Sequence, residues 1–246
     1  MTKLQNIVNF LNDYLKIKEI EDKSWNGLQV EGSKRVKKVA FCVTAGAEVF
    51  EEILEENPDM IIVHHGIFWK KKNPSLSSWM KSRARPLLET NTSLYAVHLP
   101  LDKHEEVGNN AQILKKLSIK PTERMADEIG WIGETNPVDI LTVANKLEEI
   151  LDKECKLLNF GPEKIERIGA VSGSGGGFVY EALEKKLDLL ITGEERDIAE
   201  VARDGKINVL FGGHYATETL GIIALKKKVQ QKFNLKSLFF DFPTSL

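Results

Sequence analysis

Laid so that Asp59 falls on Asp188, VAFCVTAGAEVFEEILEENPDMIIVHH (residues 39–65) aligns with IGAVSGSGGGFVYEALEKKLDLLITGE (residues 168–194). Each stretch reads as an apolar strand, a glycine-bearing turn, a helix, an Asp, a second apolar strand and a polar tip. Such a repeat is one supersecondary unit written twice, which restricts the chain to folds that can hold two strand–helix–strand units. A second pair of segments obeys the same rule. VHLPLDKHEEVGNNAQILKKL and GGHYATETLGIIALKKKV each close a strand with His, place a carboxylate four residues on and enter an apolar helix, so His98 and Asp102 match His214 and Glu218. The expectation is a single α/β domain over residues 1–246. It would consist of two pseudo-symmetric, interlinked halves of about residues 1–125 and 126–246, with mixed sheets and the functional site between the halves.

Local signals fill in this frame. Thr2 and Gln5 have capping-box spacing, and Leu4, Ile7, Val8, Leu11 and Leu15 recur with helical period, so an amphipathic helix opens the chain. SWNGLQVEG reads as a loop. Strands are predicted over 36–43, 60–63 and 94–97, and helices over 48–56, 76–89 and 109–117. Beyond Pro121, a strand is expected around 129–134 and then a helix that Pro137 opens near its first turn.

The 246 residues carry 34 Lys and Arg against 36 Asp and Glu, a net charge of -2, so no global field recruits nucleic acid or anionic lipid. No apolar run approaches the ~20 residues that cross a bilayer, and the first ten residues lack the pattern of a secretion signal, so the cytoplasm is the expected location. Cys42 and Cys155 are too few for a disulfide framework or a Cys-x-x-Cys metal motif and read as buried thiols.

The candidate chemistry lies at strand exits. His64, His65, His98, Asp102, His214 and Glu218 all fall there or in the loops that follow, where α/β sheets build their sites. Neutral imidazole and carboxylate hold zinc, iron, manganese or cobalt, and six mixed N/O ligands suggest two divalent metal ions, whereas a closed structural zinc site needs four and commonly uses Cys. Adjacent residues in a regular strand face opposite ways, so His64 and His65 act together only where the strand breaks, and Gly66 supplies the break. Phe68 and Trp69 could wall the site from bulk water. Glu194, the repeat partner of His65, is the candidate catalytic group, either as general base or as the orienting partner of a ligand; an exposed Glu at a helix start is equally consistent. His104 lacks a counterpart in the other half and is expected in solvent. The SGSGGG turn (172–177) could present N–H groups to a phosphate, or could simply let its helix pack closely; it fits neither the P-loop nor a dinucleotide fingerprint. Lys70, Lys71, Lys72, Lys81, Arg83 and Arg85 form either a solvated face or a rim that attracts anions.

WNGLQV (25–30), HHGIFW (64–69), HLPLD (98–102) followed by GNN, GWIGE (130–134) and GGHYATE (212–218) together resemble the NIF-three-like (NGG-one-interacting-factor-three-like) proteins, also named GTP cyclohydrolase I type 2 homologues. The resemblance covers essentially the whole chain. It implies a dinuclear metal site held by His64, His65, His98, Asp102, His214 and Glu218, two related α/β halves and a homohexameric ring. Where the family often has Pro after the His pair this chain has Gly66, and it lacks the long middle domain of some members, so a more open pocket is expected. The cyclohydrolase label implies attack of a metal-activated water on the imidazole ring of GTP. The leading expectation is a metal-dependent hydrolase of a nucleotide or similar phosphorylated heterocycle. The alternatives are a metal-braced ring that binds DNA or a protein partner without catalysis, and metal storage or sensing.

Overall fold

Uninterrupted apolar runs suit strands buried on both faces: VAFCV and MIIV become neighbouring parallel strands of one sheet, and LLI and VLF become neighbouring parallel strands of a second. The computed structural model describes residues 1–244. These divide into two compact units: Met1–Leu101 with Ile222–Phe242, and Asp102–Gly221 with the residues from Pro243.

In chain order, the first stretch holds β1 (Thr2–Lys3), α1 (Leu4–Tyr14), β2 (Gly27–Val30), β3 (Arg35–Val36), β4 (Lys38–Thr44), α2 (Ala47–Glu55), β5 (Met60–His65), α3 (Ser78–Glu89) and β6 (Ser93–Ala96). There follow α4 (Leu99–Lys103), α5 (Asn109–Lys116), β7 (Lys120–Met125), β8 (Gly130–Asp139), α6 (Ile140–Leu151), β9 (Lys156–Leu158) and β10 (Lys164–Val171). A 3-10 turn (Gly175–Phe178) leads to α7 (Val179–Glu184), β11 (Leu189–Thr192), α8 (Ala199–Gly205), β12 (Asn208–Phe211), α9 (His214–Phe233) and β13 (Lys236–Phe239).

Among the described residues, the first unit has a five-stranded sheet in the order β13-β4-β5-β6-β2, parallel except for β2. The second has a six-stranded sheet, β7-β8-β10-β11-β12-β9, in which β10, β11 and β12 are parallel and their neighbours antiparallel. The molecule is therefore α/β with mixed sheets, as the alternation of strand and helix patterns implies. In the first unit Phe50, Ile53, Ile61, Val63 and Leu87 form one core; in the second, Ile168, Ile191 and Leu210 pack with Leu114 and Leu147.

The aligned aspartates do the same job in the two units. Asp59 Oδ2 accepts from the N–H groups of Lys37 and Lys38 at 2.6 and 3.0 Å, and Asp188 Oδ2 accepts from those of Glu166 and Arg167 at 2.8 and 2.9 Å. Each carboxylate ties the start of one parallel strand to that of the next, which sets the register of the pair.

Several local expectations fail for identifiable reasons. Thr2 does not cap α1: it pairs with Val36, Lys3 is the N-cap, and no side chain caps that helix. The segment expected as a loop contains β2, whose edge pairing with β6 overrides its Gly and polar content. Pro137 opens no helix but sits inside β8, within the irregular stretch between the Arg167–Glu134 and Ile165–Val138 pairs, where its missing N–H removes no ladder bond; Asp139 caps α6 instead, accepting from Leu141 N at 2.9 Å. Of the two thiols only Cys42 is fully buried, and burial pushes it up to about 12, while half-buried Cys155 is raised to about 11 by burial and by Glu148. Among the described residues no helix is long and apolar enough to cross a membrane.

Candidate metal centre

Parallel strands release their chains at one edge, and the candidate ligands stand at those exits. In the first unit β5 ends in His64 and His65, and His98 follows β6 by two residues. Nitrogen atoms of the three rings all lie within 4.8 Å of one another, and the His64 centroid is 4.6 Å from that of His65 and 5.1 Å from that of His98. The strand runs to His65 and stops, so the second imidazole escapes the alternation that would have sent it to the opposite face. Gly66 is required by close approach: a Cβ there would run into the Gln29 side-chain amide and lie 2.5 Å from Ala96 Cβ.

Each ring is gripped at Nδ1. His64 Nδ1–H donates to Val97 O at 2.9 Å, and because a carbonyl can only accept, Nε2 is left as the lone-pair donor of the neutral ring. His65 Nδ1 bonds Thr44 Oγ1 at 3.0 Å, and His98 Nδ1 donates to Asp22 Oδ1 at 2.9 Å. The last contact is the carboxylate–histidine arrangement that fixes the orientation and basicity of metal-ligating imidazoles. Burial raises the Asp22 carboxyl's pKa, but bonds and charge from His98, the Asn26 amide and the Ser24 N–H outweigh it and take the group down to about 2. Asp22 is thus an anion throughout the physiological range. Trp69 closes the cluster: its indole N–H donates to Gly66 O at 3.1 Å and its ring meets His98 edge-on at 5.2 Å.

In the second unit β12 leads through Gly212 and Gly213 to His214 at the start of α9, and helical spacing sets Glu218 Oε1 3.1 Å from His214 Nε2. His214 Nδ1 donates to Glu194 Oε1 at 2.5 Å, while Ser174 Oγ donates to Glu194 Oε2 at 2.6 Å. Both oxygens of Glu194 are therefore engaged in holding a ring. The bond to Glu218 raises His214 to about 9, burial opposes this and Glu194 adds to it; a divalent cation at Nε2 would take the place of that proton. The Ser174 hydroxyl, against some effect of burial, and His214 hold Glu194 below the usual carboxylate range. Asp102 and Glu218, only 5% and 3% exposed, bring oxygens within 4.8 Å of each other. Two buried carboxylates at that separation repel unless a cation stands by them, and imidazole with carboxylate is the donor chemistry that divalent transition ions take. Gly173, at φ +59°, makes room for the pair: a Cβ there would lie 2.5 Å from Glu218 Oε1 and 3.2 Å from His214 Nε2.

Residues 2–245 match the family described as Duf34/NIF3 (NGG1p interacting factor 3). The chain belongs to this family. A protein of Archaeoglobus fulgidus named GTP cyclohydrolase 1 type 2 homolog is 42% identical over 245 residues, covering 99% of each chain. One of the same name from Pyrococcus horikoshii is 44% identical over 247 residues, 98% of each. The crystal structure of a Thermus thermophilus protein, 35% identical, superposes with a TM-score of 0.94 over 100% of both chains.

Several Duf34/NIF3 motif residues that sequence reasoning left without a role turn out to be scaffolding. Asn26 Oδ1 accepts from His98 N at 2.7 Å, and Gln29 Oε1 accepts from Ile67 N at 2.8 Å, so WNGLQV holds the loops around the histidines. In GNN, Asn109 Nδ2 donates to Asp102 Oδ1 at 2.8 Å and its Oδ1 accepts from Gly221 N at 2.7 Å; Asn110 Oδ1 accepts from Ser172 N at 2.6 Å. Asp22 and Thr44 carried no local signal at all. His104, expected in solvent, is half-buried and accepts from the N–H groups of Glu106 and Val107 at 3.1 and 3.2 Å, closing a turn. In the SGSGGG turn the N–H groups of Ser172 and Gly173 are taken by Asn110 and Thr217, which favours the packing role over a phosphate cradle.

Proposed function

We propose that this chain is a metal-dependent hydrolase of a nucleotide or related phosphorylated heterocycle, with His64, His65, His98, Asp102, His214 and Glu218 as ligands of two divalent ions. The observation that carries this reading is that all four imidazoles are held at Nδ1, by Val97 O, Thr44, Asp22 and Glu194, which makes Nε2 of each ring the nitrogen that would bind a metal. A structural histidine needs no such uniform arrangement. When bound, a pair of divalent ions supplies Lewis acidity and a water acidic enough to attack near neutral pH.

The protein's own groups do the rest. Asp22 and Glu194 hold His98 and His214 in one tautomer, and Glu194 is assigned as a positioning residue, since each of its oxygens already has a partner. Asn109 and Ser172 donate to Asp102 Oδ1 at 2.8 and 3.1 Å and aim that carboxylate. Trp69 limits access of solvent to His65 and His98. The name of the Archaeoglobus and Pyrococcus relatives, GTP cyclohydrolase 1 type 2 homolog, supports a nucleotide as the substrate class. A homohexameric ring is part of the same proposal and rests on the family resemblance.

The test is an assay of metal-loaded protein against GTP and a panel of phosphoesters. Turnover abolished by His65→Ala and by Glu218→Gln is the expected outcome; absence of turnover on every compound, or turnover that survives the loss of both side chains, overturns the catalytic reading.

A further inference from the structure

Behind Trp69 the first unit contains a cavity of about 260 Å3 that the metal ligands do not use. Trp25, Phe68, Trp69 and Trp79 supply its aromatic surface, and Lys72 and Arg83 its charge. Three of the chain's four tryptophans therefore face one hollow. Two of them, Trp25 and Trp79, are 57% and 58% exposed, a costly way to carry indole unless something covers it. The walls are built rather than accidental. Gln29 Nε2 donates to Trp25 O at 2.8 Å, Trp25 N donates to Phe68 O at 3.2 Å, and the Arg83 guanidinium lies 5.1 Å from the Trp79 ring centre.

We propose that this cavity binds a planar nitrogen heterocycle carrying a phosphate, with the ring stacked on the indoles and the anion at Lys72 and Arg83. Aromatic faces bind any base by stacking, and a guanidinium fork matches a phosphate. At about 260 Å3 the cavity is below the ~300–1,000 Å3 that encloses a whole drug-sized ligand, so it holds the ring system while the rest of the ligand lies outside. Trp69 lines this hollow and also packs edge-on against His98, so the cavity adjoins the imidazole cluster of the first unit. The assignment rests on the hydrolase reading for what happens to the ligand there, but binding itself needs no metal.

The experiment is calorimetric titration of chelator-treated protein with GMP, guanosine and inorganic phosphate. Saturable binding of GMP, weaker binding of guanosine and no competition by equimolar phosphate are expected. Trp79→Leu should weaken GMP by about five- to a hundred-fold. Arg83→Gln should weaken GMP about tenfold and guanosine far less. Trp79 is exposed and Arg83 is half-buried at the cavity wall, so neither variant disturbs the core and their metal content should match that of the wild type. The proposal is overturned by absence of saturable GMP binding, by binding unchanged in both variants, or by phosphate competing as well as GMP. An oligonucleotide that binds more tightly than GMP would overturn the small-molecule assignment. GMP binding that survives in His65→Ala and Glu218→Gln supports the cavity whatever the turnover assay gives, while intact binding without turnover counts against the hydrolase reading alone.

Discussion

His98 is held at two points before any ligand reaches it: its backbone N–H donates to Asn26 Oδ1 and its Nδ1 to Asp22 Oδ1. Asp22 in turn accepts from Ser24 N, Leu99 N and the Asn26 amide, so a single carboxylate organises both the ring and the chain that carries it. Replacing it with Asn keeps the shape but removes the charge and turns an NH2 toward groups that donate. Asp22→Asn is therefore expected to weaken divalent-metal affinity about 10- to 100-fold, read by competition with a chromophoric chelator. An affinity equal to wild type would remove Asp22 from the metal centre. The imidazoles themselves were legible because His is rare here and gathers at strand exits. Asp22 was not, because it lies 76 residues from the ring it holds, in a stretch where acidic and basic residues are common.

At the scale of elements, α5 illustrates how a loop motif becomes a brace. Asn109 and Asn110 open the helix fully buried, and Asn110 joins Ser172 N to Ile129 O through its amide at 2.6 and 3.0 Å. Asn110→Ala leaves two part-buried backbone groups without the amide, each worth about 1 kcal/mol. The expected result is a lower urea midpoint with an unchanged slope, equivalent to a stability loss of about 2 kcal/mol, and a midpoint equal to wild type would show that water replaces the amide. The central strands β4, β5, β11 and β12 were readable from continuous apolar runs, since burial on both faces leaves no polar side to encode. β9 and β13 were not, because KLL and KSLF are short, partly exposed edge strands whose pairing comes from the neighbouring strand and not from their own pattern.

For the whole molecule, the proposed cations connect binding to stability. A ligand bound only by the folded chain at a hundred times its Kd adds about 2.7 kcal/mol, which for a chain of this size corresponds to a shift of about 5–10 °C in Tm. Thorough chelation should lower Tm by that amount, with zinc or manganese restoring it in calorimetry; a Tm insensitive to chelation and metal alike would sink the two-ion proposal. The sequence by itself determined that the chain is α/β and that imidazoles and carboxylates stand at its strand ends, because hydrophobic period and residue type act over a handful of neighbours. Only the tertiary structure decided which group grips each ring. Val97 O, Thr44, Asp22 and Glu194 lie 33, 21, 76 and 20 residues from their histidines, and a contact of about 3 Å across such separations exists only once the sheets have set their register.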